Sequence, residues 1–116
     1  MDKKTIKLVI VDDHDLFREG LRFVLSKNPD FEVIDEASNG LEYLNKIKTV
    51  KPDIVLMDID MPIMNGINAT IKSLDLYPDL KIIVLSMHSD QEHYLKMIEL
   101  GVKGFVLKDA GSKELT

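Results

Sequence analysis

The amino-acid sequence predicts an α/β domain in which a parallel β-sheet is covered by helices on both faces. Short runs of Val, Ile and Leu, which suit buried strands, alternate with segments whose apolar residues recur at helical spacing. The 116 residues are enough for one domain with a sizeable core. No internal repeat, linker or low-complexity segment interrupts the alternation, so the sequence indicates a single structural unit.

The first two predicted strands flank a helix. Lys7 to Val11 is an apolar run after a polar start and predicts the first strand. Asn28-Pro29 ends the helix that follows, whose apolar residues at helical spacing are Leu16, Phe17, Leu21, Val24 and Leu25. Phe31 to Ala37 alternates loosely between apolar and polar residues, which is typical of an outer strand.

The middle of the chain continues the pattern. Asn39 and Glu42, three residues apart, resemble a capping box and predict a helix through Lys48, which Lys51-Pro52 breaks. Asp53 to Met57 is the third predicted strand. A second helical stripe, which ends near Tyr77-Pro78, consists of Ile67, Ile71 and Leu74.

The last part of the chain supplies two more strands, Lys81 to Leu85 and Gly104 to Leu107. Between them, Ser89 and Glu92 form another capping-box pattern that opens a helix through Leu100. Gly101 suits the C-cap of that helix. Gly111-Ser112 has the character of a cap for one further helix.

Charge and cysteine content narrow the function classes. The formal net charge is −5 and the 15 basic residues are scattered, which disfavours nucleic-acid binding because phosphate backbones require clustered Lys and Arg. The apolar runs are far shorter than a membrane span, and we find no secretory signal pattern. The absence of cysteine excludes disulfides and thiolate metal sites and fits a cytoplasmic location.

Polar side chains follow four of the predicted strands at the point where each ends. They are Asp12 and Asp13 after the first strand, Asp58 after the third, Ser86 after the fourth and Lys108 after the fifth. Because parallel strands end at one edge of the sheet, these groups can converge. Carboxylates suit Mg²⁺, a carboxylate can attack phosphorus, and a hydroxyl and an ammonium can bind a phosphoryl group.

Each of these residues alone has a simpler interpretation. Asp13, taken without the others, is favoured as the N-cap of the following helix. Ser86 or Lys108 alone would be an ordinary loop residue. The indication of a site therefore lies in the ordered set.

In these segments the chain resembles the receiver domain of two-component response regulators. The resemblance lies in Val9-Ile10-Val11-Asp12-Asp13-His14, Val55-Leu56-Met57-Asp58-Ile59-Asp60-Met61-Pro62-Ile63-Met64-Asn65-Gly66, Val84-Leu85-Ser86 and Gly104-Phe105-Val106-Leu107-Lys108. It covers nearly the whole chain, in the family's order and spacing. Leu85-Ser86-Met87-His88 and Leu107-Lys108-Asp109-Ala110 are most similar to the LuxR/NarL-type subgroup. The resemblance implies a doubly wound, flavodoxin-like five-stranded sheet in the order 2-1-3-4-5.

The resemblance also implies a role for each site residue. Asp58 would accept a phosphoryl group from the phosphohistidine of a sensor histidine kinase or from a small acyl phosphate. Mg²⁺ or Mn²⁺ would be bound by Asp13, Asp58 and the backbone carbonyl of Asp60, with Asp12 acting through water. Ser86 would bind the phosphoryl group and shift toward it, and Lys108 would pair with it. Phe105 would be the switch aromatic, which rotates inward as Ser86 moves. Such a protein is not an enzyme acting on other substrates, although it takes part in its own phosphorylation and dephosphorylation.

Two positions depart from the usual family pattern. Met87 follows Ser86 where many receivers have a small residue, so the pocket mouth is expected to be narrower for small phosphodonors. Asp109 follows Lys108 where many have a cis proline, and a trans bond is expected because a non-proline cis bond costs about 3–4 kcal/mol. His88 is expected near the pocket rim, where it could affect attacking water, or as an ordinary exposed histidine; with Asp60 and Met87 it is a candidate modulator.

The family fold implies a last helix from about Ser112, of which only Ser112 to Thr116 is expected in this chain. A truncated helix would leave an apolar strip open beside the first helix, which favours association into a homodimer. The resemblance further implies a C-terminal helix-turn-helix output domain, absent from this chain, through which DNA would be bound and transcription regulated. The chain itself is expected to be one receiver domain over residues 1–116.

Two alternative functions remain open on the sequence. Asp58-Ile59-Asp60 matches the Asp-x-Asp of haloacid-dehalogenase-type phosphatases, although there the motif follows the first strand and the enzyme needs a longer chain. A flavodoxin-like FMN module would share the topology, but no Ser/Thr/Gly-rich phosphate loop follows the first strand here. Turnover of a phosphomonoester would identify the first alternative, and a coloured purified protein the second.

Overall fold

The computed structural model describes residues 5–87 and 92–108. In these ranges the strands are β1 (Ile6–Val11), β2 (Phe31–Ala37), β3 (Ile54–Asp58), β4 (Lys81–Ser86) and β5 (Gly104–Leu107). The helices described there are α1 (Asp15–Ser26), α2 (Gly40–Lys46), α3 (Gly66–Leu76) and α4 (Tyr94–Leu100). The strands form one five-stranded sheet in the order β2-β1-β3-β4-β5, and each neighbouring pair is parallel. The predicted fold class and strand order are confirmed.

Helices cover both faces of the sheet because successive strand residues point to opposite sides. On one face Val9 and Val11 of β1 pack with Tyr43 of α2 and Ala69 of α3. On the other face Ile10 belongs to a cluster against which apolar side chains of α1 pack. A third cluster, formed by Ile59, Val84 and Met97, anchors α4.

The apolar stripe predicted for α1 packs only in part. Phe17, Leu21 and Leu25 contact the sheet, whereas Leu16 is 81% exposed and Val24 is also exposed. No residue of α1, all of which lies in the described ranges, is fully buried. The helix therefore presents apolar side chains on two sides, and only one of them faces the sheet.

The stripe predicted for α3 is confirmed for Ile67 and Leu74, which pack against core clusters, and is wrong for Ile71. Ala69, Thr70 and Ser73 are the fully buried side chains, while Ile71 is exposed. The reason is close packing with α2, since a Cβ added to Gly40 would lie 3.0 Å from the Cβ of Ala69. Small residues are needed where two helices approach this closely.

The predicted capping box of α2 exists in shifted form. The Asn39 side chain accepts a hydrogen bond from the Glu42 amide at 2.8 Å, as predicted. The Glu42 carboxylate accepts from the amide of Ser38, one residue before the cap, at 2.6 Å, and this bond lowers the pKa of Glu42. The helix ends at Lys46, two residues earlier than predicted.

Near the end of the chain, one sequence prediction falls within the described residues and several fall outside them. Gly101 is the C-cap of α4 in a left-handed conformation, with φ of 104°, as predicted. The predicted start of that helix at Ser89, the residue His88, the bond before Asp109 and the last helix from Ser112 lie outside the described residues. None of the helices in the described ranges has the length and apolar character needed to span a membrane.

Candidate functional site

The parallel register brings two aspartates side by side at the carboxyl edge of the sheet. Val11 of β1 pairs with Met57 of β3, so that Asp12 and Asp58, the next residues, are neighbours. Side-chain atoms of Asp12, Asp13, His14 and Asp58 lie within 4.8 Å of one another. Asp58 is only 3% exposed and Asp12 is fully buried. The predicted convergence of these carboxylates is confirmed.

This cluster has the donor set of a cation site. Oδ1 of Asp13 and Oδ2 of Asp58 are buried and make no hydrogen bond in the described part of the chain. Unpaired carboxylate oxygens are costly when buried, and Mg²⁺ prefers carboxylate ligands of this kind. The residues therefore fit a divalent cation such as Mg²⁺ or Mn²⁺.

Lys108 reaches the same cluster from the opposite end of the chain. Its amide donates to the carbonyl oxygen of Ser86 at 2.7 Å, which fixes the residue beside β4. Its ammonium Nζ is 2.8 Å from Oδ2 of Asp12 and 3.6 Å from Oδ2 of Asp58. The ring of Phe17 lies below it, with its centroid at 4.6 Å. The convergence predicted for Lys108 is confirmed, and its ammonium partly neutralises the carboxylates.

The environment of Asp58 disfavours the ionised form of its carboxyl group. Burial is the largest cause and the negative charge of Asp12 adds to it, while the Lys108 ammonium opposes both. The net effect is to raise the pKa of Asp58 to about 7. A divalent cation beside this carboxyl group would favour its ionised form.

Two glycines fix the loop that follows Asp58. The amide of Gly66 donates to the carbonyl oxygen of Ile59 at 2.7 Å, and the amide of Gly40 donates to that of Met64 at 2.9 Å. The loop also holds Ile63 at φ of 69°, a conformation rare for a β-branched residue. The start of α2 thus clamps the segment that carries Asp60.

Arg18 of α1 is a site-supporting residue that the sequence did not reveal. Its guanidinium donates to the backbone carbonyl of Asp12, to Glu36 at 2.9 Å and to Asp15 at 2.6 Å. These contacts fix the end of β1 against α1 and β2. A guanidinium has enough donors to hold all three acceptors at once.

Asp13 does not cap α1, so the cap interpretation is wrong. The N-cap is His14, whose side chain makes no capping bond. The backbone amide of His14 donates to Oδ1 of Asp12 at 2.8 Å. The His14 ring is largely exposed, yet its Nδ1 lies 3.2 Å from Lys108 Nζ.

A cavity of about 380 Å³ opens above Asp58. The side chains that line it are His14, Phe17, Asp58, Asp60, Met87 and Lys108. Met87, which the family pattern leads us to expect at a narrowed pocket mouth, is one of these lining residues. The cavity is lined by both the Asp58 carboxylate and the Lys108 ammonium, which is the arrangement that a transferred phosphoryl group needs.

Ser86 is not among the residues that line this cavity. Its side chain is fully buried, and its hydroxyl lies 3.2 Å from the hydroxyl of Tyr94. The ring of Tyr94 packs on that of Phe105, with centroids 4.6 Å apart. Ser86 and Phe105, which the family resemblance links as switch residues, are thus joined through a third residue that the sequence did not indicate.

Comparison with known proteins agrees with this geometry. The family model of the response regulator receiver domain matches residues 8–116. The chain is 48% identical over 110 residues to the uncharacterized transcriptional regulatory protein YhcZ of Bacillus subtilis, covering 95% of this chain and 51% of the relative. It is 37% identical over 115 residues to the transcriptional regulatory protein DegU of Brevibacillus brevis, covering 99% and 49%. The chain therefore spans about half the length of these relatives.

Solved structures show the same similarity. A LuxR-family two-component response regulator from Aurantimonas sp. SI85-9A1 matches with a TM-score of 0.87 and 33% identity, covering 97% of this chain and 80% of that one. The signal receiver domain of a NarL response regulator from Mycobacterium tuberculosis matches with a TM-score of 0.82 and 33% identity, covering 91% and 86%. Neither the family match nor these relatives support the haloacid-dehalogenase alternative.

Proposed function

The chain belongs to the response regulator receiver domain family, and on this basis we propose that Asp58 accepts a phosphoryl group from a sensor histidine kinase. The observation that carries the proposal is the buried Oδ2 of Asp58, which accepts no hydrogen bond in the described part of the chain, belongs to a carboxylate cluster that fits a cation and lies 3.6 Å from the Lys108 ammonium. A small acyl phosphate would be a second donor of the same group.

The proposed transfer forms one bond and breaks another. A carboxylate oxygen of Asp58 attacks phosphorus as the bond from phosphorus to the donor's imidazole nitrogen breaks. The nitrogen keeps the electron pair of that bond. Lys108, already within ion-pair distance of Asp58, neutralises charge on the phosphoryl oxygens. The Ser86 hydroxyl donates a hydrogen bond to one of those oxygens after the transfer.

We assign the cation to the carboxylates of Asp13 and Asp58 and the backbone carbonyl of Asp60, with Asp12 acting through water. The support is the grouping of ligand atoms within 4.8 Å and the orphaned oxygens of Asp13 and Asp58. When bound, Mg²⁺ or Mn²⁺ supplies charge neutralisation at the phosphoryl group. Asp12 and Lys108 are already paired, which holds both in place around the cluster.

The phosphorylated domain would act as a switch for transcription. The relatives YhcZ and DegU are named transcriptional regulatory proteins, and each is about twice as long as this chain. We propose that a helix-turn-helix output domain, outside this chain, binds DNA under the control of Asp58 phosphorylation, and that Phe105 takes part in the switch.

One experiment tests the phospho-acceptor directly. The protein is incubated with Mg²⁺ and acetyl phosphate, and the intact mass is measured at neutral pH. We expect a gain of one phosphoryl group, lost on acid treatment, in the wild type and in Asp60→Asn, but none in Asp58→Asn. An adduct of undiminished yield in Asp58→Asn would refute the assignment.

Asp60→Asn also separates the receiver from the phosphatase alternative. A haloacid-dehalogenase-type phosphatase would release phosphate from an external phosphomonoester and would need Asp60 to do so. We expect no such turnover from the wild type. Sustained phosphate release that depends on both Asp58 and Asp60 would replace the receiver proposal with the hydrolase one.

A further inference from the structure

The Ser86 hydroxyl already has a partner. Its Oγ lies 3.2 Å from the hydroxyl of Tyr94, and the Ser86 side chain is fully buried. Buried hydroxyls need such a partner, because an unpaired one would lose the hydrogen bonds it makes with water. The contact connects the carboxyl end of β4 to the first residue of α4.

This partner lies away from the cavity above Asp58. The residues that line the cavity include Met87, the next residue along the chain, but not Ser86. Either hydroxyl of the Ser86–Tyr94 pair can be the donor, so the conflict with a phosphoryl group lies in the direction in which the Ser86 side chain points and not in its proton. To bind a phosphoryl oxygen on Asp58, Ser86 must turn toward the cavity and leave Tyr94.

We propose that Tyr94 is a positioning residue, whose hydroxyl competes with the phosphoryl group on Asp58 for the hydroxyl of Ser86. The inference rests on the proposed function of Asp58 and adds a residue to it. In the unphosphorylated protein the Ser86–Tyr94 hydrogen bond holds Ser86 out of the cavity. Phosphorylation exchanges that bond for one to the phosphoryl group, and the Tyr94 hydroxyl is released.

Release of Tyr94 is transmitted to its neighbours through the aromatic ring. That ring lies against Phe105 of β5, with centroids 4.6 Å apart and planes tilted by 32°. Phe105 packs in turn on the cluster of Ile59, Val84 and Met97 that anchors α4. The hydrogen-bond exchange at Ser86 therefore acts on α4 and on Phe105 through one side chain.

Tyr94→Phe is the direct test, since it removes the hydroxyl and keeps the ring against Phe105. Beryllofluoride, a mimic of the phosphoryl group, is titrated in the presence of Mg²⁺, and binding is followed by NMR of the backbone amides near Asp58 and Lys108. Loss of one competing hydrogen bond should tighten binding by about two- to tenfold. Tyr77→Phe, at the far end of α3, is the matched control and should leave binding unchanged.

A second variant shows whether the effect passes through Ser86. In a Ser86→Ala background, Tyr94→Phe should have no effect on beryllofluoride binding, because the Ser86 hydroxyl for which Tyr94 and beryllofluoride compete is absent. A Tyr94→Phe effect that persists in this background would overturn the proposal, as would unchanged or weaker binding in the single variant. Weaker binding would mean that Tyr94 supports Ser86 in the phosphorylated form.

The outcome for the wild type separates this inference from the proposed function. If beryllofluoride and Mg²⁺ cause no shifts near Asp58 in the wild type, the phospho-acceptor assignment fails, and the inference fails with it. If the wild type responds and Tyr94→Phe behaves identically, only the role of Tyr94 fails. Melting temperatures of all variants, measured without ligand, confirm that each is folded.

Discussion

The α-carbon of Gly66 lies so close to the backbone of Asp58 that an added Cβ would stand 1.9 Å from the Asp58 carbonyl oxygen. The contact is with backbone, which cannot move aside as the end of a flexible side chain can. The first residue of α3 and the last residue of β3 are thus fitted together at the residue proposed to carry the phosphoryl group.

Gly66→Ala should therefore destabilise the fold and disturb the site. We expect the free energy of unfolding to fall by about 2–4 kcal/mol, since the loop after Asp58 must be displaced. Gly20→Ala is the control, because its Cβ would meet nothing within 4 Å and an alanine favours the helix by about 0.5–1 kcal/mol. Urea unfolding of both variants checks the prediction, which equal stabilities would contradict.

Mg²⁺ should raise the melting temperature of the wild type, because it relieves repulsion among grouped carboxylates. Asp13→Ala should remove most of that gain, since it deletes a buried carboxylate oxygen that accepts no hydrogen bond in the described part of the chain and is a proposed cation ligand. Asp75→Ala, which changes an exposed carboxylate on α3, should retain the full gain. Thermal unfolding with Mg²⁺ or with EDTA measures the gain in melting temperature for each variant. A gain in Asp13→Ala equal to that of the wild type would show that the cation binds elsewhere.

The raised pKa of Asp58 predicts a pH-dependent stability in the absence of metal. The pKa is about 7 in the folded protein and near 3.8 in the unfolded chain, so the folded state binds the proton more tightly. The contribution of Asp58 to the free energy of unfolding then falls as pH rises from about 4 to about 7, and stays low above that. Asp58→Asn cannot lose this proton, so its stability relative to the wild type should grow by about 2–4 kcal/mol between pH 4 and pH 8. Urea unfolding in EDTA across this range would refute the prediction if the difference stayed constant.

Arg18 should support cation binding without touching the cation. Arg18→Met removes the donor to the Asp12 carbonyl, and the turn that carries Asp13 should loosen. We expect Mg²⁺ affinity to fall by about tenfold, as for other residues that hold metal ligands in place. Arg22→Met is the matched control, because Arg22 pairs with the same Glu36, whereas the donor to the Asp12 carbonyl is Arg18. Calorimetric titration with Mg²⁺ distinguishes the two, and equal losses would argue for a general effect of α1.

The edge of the sheet that bears the site could be predicted from the sequence because its strands are short apolar runs that end in polar residues. Asp12, Asp58 and Lys108 converge for that reason alone. The contact of Ser86 with Tyr94 and that of the Asp12 carbonyl with Arg18 could not be predicted, because they depend on the direction in which side chains from distant helices point. The error in α3 has a similar origin: periodicity identified Ile71 as buried, but the close approach of α2 at Gly40 selected smaller residues for that face.

The ammonium that neutralises the aspartates is attached to the end of a four-residue edge strand, β5. That strand, which is described in full, has no fully buried residue, and strands of this kind open locally at low free-energy cost. An opening of β5 would carry Lys108 away and would leave Asp12 and Asp58 without this counter-ion. Amide hydrogen exchange along β5 would therefore report how often Lys108 separates from the two aspartates. A more tightly docked edge strand would make this separation less frequent.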